Sequence, residues 1–187
     1  VQFFMMAAAG DSDSLNPKKQ RAYRASTTRT SDLIHTKLEV KFDWEKSQMI
    51  GKASITAKPY FKPSSTLALD ARGMEVQGIE VFDLSKYKTG ELSANNEILP
   101  SKKMPSTYKY ENDSIKINLG REFTADEKYL VKINYIAKPN ELKKGGGEAI
   151  SDDRGLYFIN PKGEEKNKMP QIWTQGEIQA NSAWFPT

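Results

Sequence analysis

Asp32-Leu33-Ile34-His35-Thr36-Lys37-Leu38-Glu39-Val40-Lys41-Phe42 places an apolar or small side chain at every second position. A period of two sends successive side chains to opposite faces of an extended chain, whereas a helix repeats every 3.6 residues. Ile34, Thr36, Leu38, Val40 and Phe42 therefore share one face, and His35, Lys37, Glu39 and Lys41 share the other. This is the pattern of a half-buried strand. Beyond a polar turn at Glu45 to Gln48, Gly51, Ala53, Ile55 and Ala57 alternate with Lys52, Ser54, Thr56 and Lys58. Hairpin logic makes this second run an antiparallel partner, ended by Pro59 and Pro63.

The same period continues outward. Leu67 and Leu69 open a further strand; Met74, Val76, Ile79 and Val81 mark the next, with Gly78 as the place for a bulge. Lys86 to Pro105 is polar and proline-bounded, a connection rather than core. Tyr108 and Tyr110 lead into the turn cluster Glu111-Asn112-Asp113, and Ile115, Ile117 and Leu119 return from it. Asn112-Asp113-Ser114 has the form of a glycosylation sequon but reads better as hairpin-turn chemistry. Thr124 to Glu127 is a short turn before the strict alternation of Tyr129, Val131, Ile133 and Tyr135. Lys143-Lys144-Gly145-Gly146-Gly147 lacks the residue order of a phosphate-cradling loop and reads as a flexible connection. Short strands at Leu156 to Ile159 and Gln171 to Thr174 follow. With no helical period anywhere, the fold class is all-β, an antiparallel saddle-shaped or sandwich-like domain of about eight strands.

Composition narrows the chemistry. Of 187 residues, 37% are hydrophobic and 28% charged, which suits a globular domain and excludes a collagen or a wholly disordered chain. No run approaches the roughly 18 apolar residues of a membrane span. The absence of cysteine removes disulfides, thiolate nucleophiles and sulfur-ligated zinc, and a single histidine, His35, rules out any two-imidazole metal motif within this polypeptide. His35 lies on the polar face of the first strand with no G-x-S-x-G nucleophile turn to serve, so it reads as an exposed strand residue. Asp152-Asp153 and Glu164-Glu165 are adjacent carboxylates in Gly- and Lys-rich loops and read as solvated surface rather than cation ligands.

The net charge of +4 is uneven. Residues 1–30 hold Lys18, Lys19, Arg21, Arg24 and Arg29 against Asp11 and Asp13, and the remainder is near neutral. With Tyr23 as its sole interleaved aromatic, this arm reads as a solvated linker, and no nucleic-acid partner is expected. Ahead of it, Phe3-Phe4-Met5-Met6 runs into Ala7-Ala8-Ala9, an apolar segment closing on an A-x-A site. That reads as the remnant of a secretory signal, which implies export to a periplasmic or extracellular location. The expected organisation is residues 1–9 signal remnant, 10–31 basic linker and 32–187 β domain.

The C-terminal stretch Gln171-Ile-Trp-Thr-Gln-Gly-Glu-Ile-Gln-Ala-Asn-Ser-Ala-Trp-Phe-Pro-Thr187 surrounds a polar bend with aromatics, as in a constrained loop that holds Glu177. Thr174-Gln175-Gly176-Glu177 followed by Phe185-Pro186, with Gly155-Leu156-Tyr157-Phe158 upstream, resembles the end of the N-terminal domain of gluzincin zinc aminopeptidases of the aminopeptidase N and leukotriene hydrolase type. The likeness covers residues 32–187, is most specific in the last third, and looks most like a bacterial branch. Two departures stand out. Asn181-Ser182 occupies the place of an Ala-Arg pair common after the Glu, and Gly176 replaces a bulkier residue.

The resemblance implies that Gln175 and Glu177 are substrate-binding residues, with Glu177 holding the α-ammonium of a peptide and Gln175 lining the first specificity pocket. It also implies a zinc cofactor, a glutamate base and an oxyanion-stabilising tyrosine, all in a C-terminal catalytic domain of the same polypeptide that this stretch does not contain. No catalytic residue and no metal ligand is then expected here, and the chain alone should hydrolyse nothing. Its partners would be peptide substrates and that catalytic domain, met through apolar residues near Trp173, Trp184 and Phe185. A stand-alone β-sandwich module binding protein or carbohydrate is the alternative from a different class.

Overall fold

A computed structural model describes residues 28–86, 103–142, 154–176 and 179–187. The opening alternation becomes β1 (Ser31–Asp43), and the turn after it leads to β2 (Gln48–Pro59) in antiparallel register, with Leu38 opposite Ala53 and Phe42 opposite Met49. The strand begins one residue inside the expected linker; the rest of the linker up to residue 27, and the signal remnant, lie outside the described residues. β3 (Ser64–Asp70), β4 (Met74–Asp83), the two-residue β5 (Lys103–Met104), β6 (Thr107–Glu111), β7 (Ser114–Phe123) and β8 (Tyr129–Ala137) follow. β9 (Leu156–Ile159) and β10 (Gln171–Thr174) complete the strands. The helical content of the described residues is two single-turn 3-10 segments, Pro139–Glu141 and Ala180–Ala183. No helix among the described residues is long and apolar enough to cross a membrane.

The strands form three antiparallel sheets: five strands in the order β1-β2-β8-β4-β5, three in the order β3-β7-β6, and the ribbon β10-β9. Side chains paired across a ladder share a face. Met49, Ala53, Ile55 and Ala57 of β2 thus line up with Ala137, Ile133, Val131 and Tyr129 of β8, and these with Met74, Ile79 and Val81 of β4. The facing layer is Leu67 and Leu69 of β3 with Ile115, Ile117 and Leu119 of β7, and both layers belong to one continuous core. The all-β, sandwich-like expectation is met, because period-two runs leave each sheet one apolar face to bury.

Local rules account for the turns. Asn112 and Asp113 both take positive φ, 52° and 58°, the backbone that a two-residue hairpin requires and that Asn and Asp tolerate. Tyr110 donates its hydroxyl to the Ala71 carbonyl at 2.7 Å and accepts from the Met74 amide at 3.0 Å, tying β6 to the passage between the sheets. At the other end of the sandwich, Arg121 on β7 reaches Asp83 at the end of β4 (2.9 Å) and takes both Glu127 oxygens (3.2 Å each). Its guanidinium also lies 3.7 Å from the Phe123 ring centre. Burial raises the Asp83 pKa, but hydrogen bonds from Arg121 and Ser85 outweigh it and hold the carboxyl at about 2.

Three expectations need correction. The face assigned to β1 fails at Ile34: a bulge between Leu33 and His35 leaves Ile34 unpaired and puts Leu33, not Ile34, opposite Ala57. Val40 stays 42% exposed although Leu38 and Phe42 pack against the core, because β1 is the sheet's outermost strand. The connection from Lys86 to Pro105 contains β5, whose two residues are too few to show a period; residues 87–102 of it lie outside the described residues. The Gly78 bulge is found where expected, between Val76 and Gly78.

Candidate functional site

The ribbon and the C-terminal segment hold the residues singled out in the sequence. β9 docks on the first hairpin through Phe158, whose ring meets Phe42 edge-on at 6.1 Å and Trp44 at 5.8 Å. β10 lies antiparallel to it, with Ile172 opposite Phe158 on the core side and Trp173 opposite Tyr157 on the other. The loop between the strands folds about Asn160, which accepts from the Glu165 amide at 3.0 Å and donates to the Glu165 carbonyl at 3.1 Å. Glu165 pairs with Lys168 at 2.9 Å, so the Glu164-Glu165 pair is loop structure and surface, as read; Asp152 and Asp153 lie outside the described residues.

Gln175 follows β10 directly. It is exposed, and its backbone N–H donates to the Gly155 carbonyl at 2.9 Å, which carries the strand pairing one step beyond Thr174. Gly155 takes φ +70° and sits against the Ala180 carbonyl, where any Cβ would collide with backbone. Gly176 sits against Asn181: a Cβ there would come within 2.7 to 3.0 Å of the Asn181 amide group. That amide is itself held, since its oxygen accepts from the Trp184 indole at 3.2 Å. The two departures from the aminopeptidase pattern, Gly176 and Asn181, are therefore one packing feature. Reading them separately along the sequence could not reveal this, although their joint occurrence was the available signal.

After residue 178 the chain is fastened at several points. The Ser182 hydroxyl donates to the Gln179 carbonyl at 2.6 Å, and the Ser182 carbonyl accepts from the Arg72 amide at 2.7 Å. Thr187 exchanges backbone hydrogen bonds with Asp70 at 2.7 and 3.0 Å, which fixes the segment to β3. Trp184 and Phe185, near which the catalytic domain was expected to be met, pack against the core and against each other at 4.6 Å. Trp173 is the exposed member of that set, at 62%. Glu177, the second of the two expected substrate-binding residues, lies outside the described residues, and so does Ile178.

The described residues do not fit a zinc site. No group of three His, Asp or Glu side chains comes together among them, and the single imidazole, His35, is exposed on β1 opposite Thr56. A zinc site built as a catalytic one is built needs three protein ligands converging on a point.

No protein-family model matches the chain, and no match is found among curated proteins. Solved structures do resemble it. A two-domain M1 zinc metallopeptidase bound to L-arginine superposes with a TM-score of 0.57 at 16% identity, over 85% of this chain and 29% of the other. An M1 zinc metallopeptidase from Deinococcus radiodurans bound to a Tyr-Ser-Ala substrate gives 0.55 at 15% identity, over 84% and 29%. Native yeast leukotriene A4 hydrolase gives 0.55 at 17% identity, over 84% and 20%. At such identities the likeness is one of fold. The chain has the fold of the N-terminal domain of these proteins and spans less than a third of their length, so the resemblance drawn from its last third is met at the level of architecture.

Proposed function

We propose that this chain is the N-terminal substrate-reading and scaffolding domain of an exported zinc-dependent aminopeptidase, with Glu177 holding the substrate's α-ammonium and Gln175 lining the first side-chain pocket. The observation that carries the reading is the pairing of a fold match over most of this chain with a T-Q-x-E sequence at its end, since the matched proteins are zinc peptidases and a hydrolase several times longer. Support also comes from the frame around that sequence. The chain is tied to Gly155 at Gln175 and to Asp70 and Arg72 after residue 179, a setting suited to holding a loop in one place.

An exopeptidase must recognise a free terminal ammonium and reject the interior of a chain. A fixed carboxylate does so through a charge-assisted hydrogen bond, roughly twice as strong as a neutral one, and an acylated or internal amide cannot reproduce it. Hydrolysis belongs to a catalytic domain that carries the zinc and follows in the same polypeptide. The exposed face of the ribbon, with Trp173 and Met169, is the apolar surface best placed to meet it. On this reading the 187-residue chain alone releases no amine from an aminoacyl substrate, with or without zinc. The apolar run from Phe3 to Met6, closing on Ala7-Ala8-Ala9, supports export.

The test uses the polypeptide that joins this domain to its catalytic domain. Removing one partner of a buried charge pair costs about 2 to 5 kcal/mol, so Glu177→Ala should lower kcat/KM roughly thirty-fold to several thousand-fold on substrates with a free N-terminus, with zinc content unchanged. Gln175→Ala should shift side-chain preference with a smaller loss, because a neutral hydrogen bond contributes about 0.5 to 1.5 kcal/mol. Unchanged kinetics for Glu177→Ala would remove the assignment.

A further inference from the structure

β1 is the outermost strand of the five-stranded sheet, and among the described residues its far edge pairs with no other strand. Such an edge offers a row of backbone donors and acceptors to any extended chain, and proteins blunt it with bulges, prolines or unopposed charge. Here the blunting is confined to one end. The bulge lies between Leu33 and His35, while from His35 to Asp43 the register with β2 runs without interruption. Within that regular stretch Val40 is 42% exposed, an apolar residue on the core side of the edge strand, between Leu38 and Phe42, which pack against the core.

We propose that this edge pairs antiparallel with the same edge of a second copy of the chain, with Val40 on the two-fold axis. Two copies related by such an axis face each other residue by residue at equal distances on either side of it. With Val40 on the axis, Glu39 faces Lys41 and Lys37 faces Asp43 on one side of the sheet, each pair occurring twice. On the other side Leu38 faces Phe42, and Val40 meets its own copy. Every charge in the stretch finds its opposite.

Neighbouring registers do not achieve this. An axis at Glu39 sets Lys37 against Lys41 and Glu39 against itself, and like charges directly opposite are destabilising. An axis at Leu38 still pairs Lys37 with Glu39, but it leaves Asp43 opposite Leu33, sets His35 against Lys41 and draws the unpaired Ile34 into the ladder opposite Phe42, while an axis at Lys41 sets Glu39 against Asp43 and Lys41 against itself. The charge order of β1 therefore selects a single register, and self-complementarity of this kind is of use only to a second copy. At the centre of the stretch the intramolecular competition is weak, since Glu39 stands 3.9 Å from Lys52 in an exposed pair at the limit of contact; the half-buried Asp43 is also engaged in the turn, accepting from the Lys46 backbone amide at 3.1 Å, so the Glu39–Lys41 contacts carry most of the selection. The result is one continuous sheet across two chains. An edge-to-edge contact of this length buries less than the roughly 1,200 Å² of a standard stable interface, so the dimer Kd is on the order of micromolar or higher and the dimer dissociates on dilution below it.

Sedimentation of the 187-residue chain at low salt, from about 1 to about 500 µM, should show a monomer–dimer equilibrium that weakens as salt rises. Lys41→Glu turns both Glu39 contacts repulsive and should raise the dimer Kd about tenfold or more, as should Glu39→Lys. The double variant Glu39→Lys/Lys41→Glu restores opposite charges and should return Kd to within about threefold of the parent. Because the chain has no cysteine, Val40→Cys gives an independent readout: oxidation should link two copies through the axis. Ile50→Cys, equally exposed on the neighbouring strand, should link far more slowly. A chain that stays monomeric throughout the range overturns the proposal, as it would if the edge served an extended peptide of another protein. So does a dimer indifferent to Lys41→Glu, or one that the double variant fails to restore, or equal cross-linking at positions 40 and 50.

Discussion

In the five-stranded sheet Ala53, Ile55, Val81, Val131 and Ile133 are wholly removed from water, whereas on the ribbon Trp173 keeps 62% of its surface exposed and Met169, just ahead of β10, keeps 78%. The first region is held by apolar area, which is non-directional and shared among many neighbours. The second reaches that core through few side chains, Leu156, Phe158, Trp184 and Phe185, and is otherwise held by directed contacts: the Asn160 amide, the approach of Gly155 to Ala180, the Arg72–Ser182 bond and the Thr187–Asp70 pair. Area of this kind fails all at once, while pinned loops can open one at a time. The sandwich thus supplies the stability and the C-terminal segment the shape.

The largest effect expected from this division is a contrast between two truncations. Ile55→Ala removes buried methyl groups between the two sheets and should lower unfolding free energy by about 2 to 5 kcal/mol, with the spread set by how far the site can close up. Trp173→Ala deletes a much larger side chain, yet from a surface position it should change stability by no more than about 0.5 kcal/mol. Urea denaturation followed by circular dichroism at a β-sheet wavelength measures both. Equal losses would mean that the ribbon face is packed after all and that the distinction fails.

The polar clasp between the sheets gives the next effect. Asp83 has a folded pKa of about 2 against an ordinary value of 3.8, and Glu127 is also lowered, chiefly by its hydrogen bond from Arg121. A carboxylate with a depressed folded pKa contributes stability that is complete above its unfolded pKa and is lost as pH falls through the folded one. Stability should therefore drop as pH is taken from about 5 towards 2, with Asp83 accounting for up to about 2 kcal/mol of the loss. Asp83→Asn should be less stable than the parent at neutral pH and should flatten this part of the profile. An unaltered acid profile in Asp83→Asn would place the acid sensitivity elsewhere.

Where the sequence could be read, and where it could not, follows the same line. β2 and β8 show alternation because Gly51, Ala53, Ile55 and Ala57, or Tyr129, Val131, Ile133 and Tyr135, share the face turned to the core; that Ser54, Thr56 and Leu130 on the other face are buried as well was not legible from the polar types at two of those positions. β4 was legible through its bulge because Gly78 punctuates the run. β1 misled at Ile34 because a bulge breaks the alternation there, and at Val40 because alternation reports which side a residue faces and not whether another layer covers it. β5 was invisible because two residues carry no period. Of the candidate site, the strand leading to it and the placing of Gln175 were legible, but the contact between Gly176 and Asn181 depends on how the chain doubles back, which no local pattern encodes.

That contact yields the smallest expected effect and the most specific. Gly176 does not adopt a positive φ, so its backbone would accept alanine, and Gly→Ala at a compatible position stabilises by about 0.4 to 1 kcal/mol through the unfolded chain. Against this stands the Asn181 amide, which a Cβ would displace and which holds the Trp184 indole at 3.2 Å. Losing a hydrogen bond of that kind costs about 0.5 to 1.5 kcal/mol, so the two effects oppose each other. Gly176→Ala alone should be neutral or destabilising by up to about 1 kcal/mol. In an Asn181→Ala background the obstruction is gone, and the same substitution should become stabilising by about 0.4 to 1 kcal/mol. Exchange of the Gln175 amide, bonded to Gly155, reports whether the segment has shifted, since it should quicken in Gly176→Ala and recover in the double variant. If the two substitutions prove additive to within about 0.3 kcal/mol, glycine at position 176 is not explained by asparagine at 181, and the pinned end of the molecule is less tightly determined than the packing of these two residues implies.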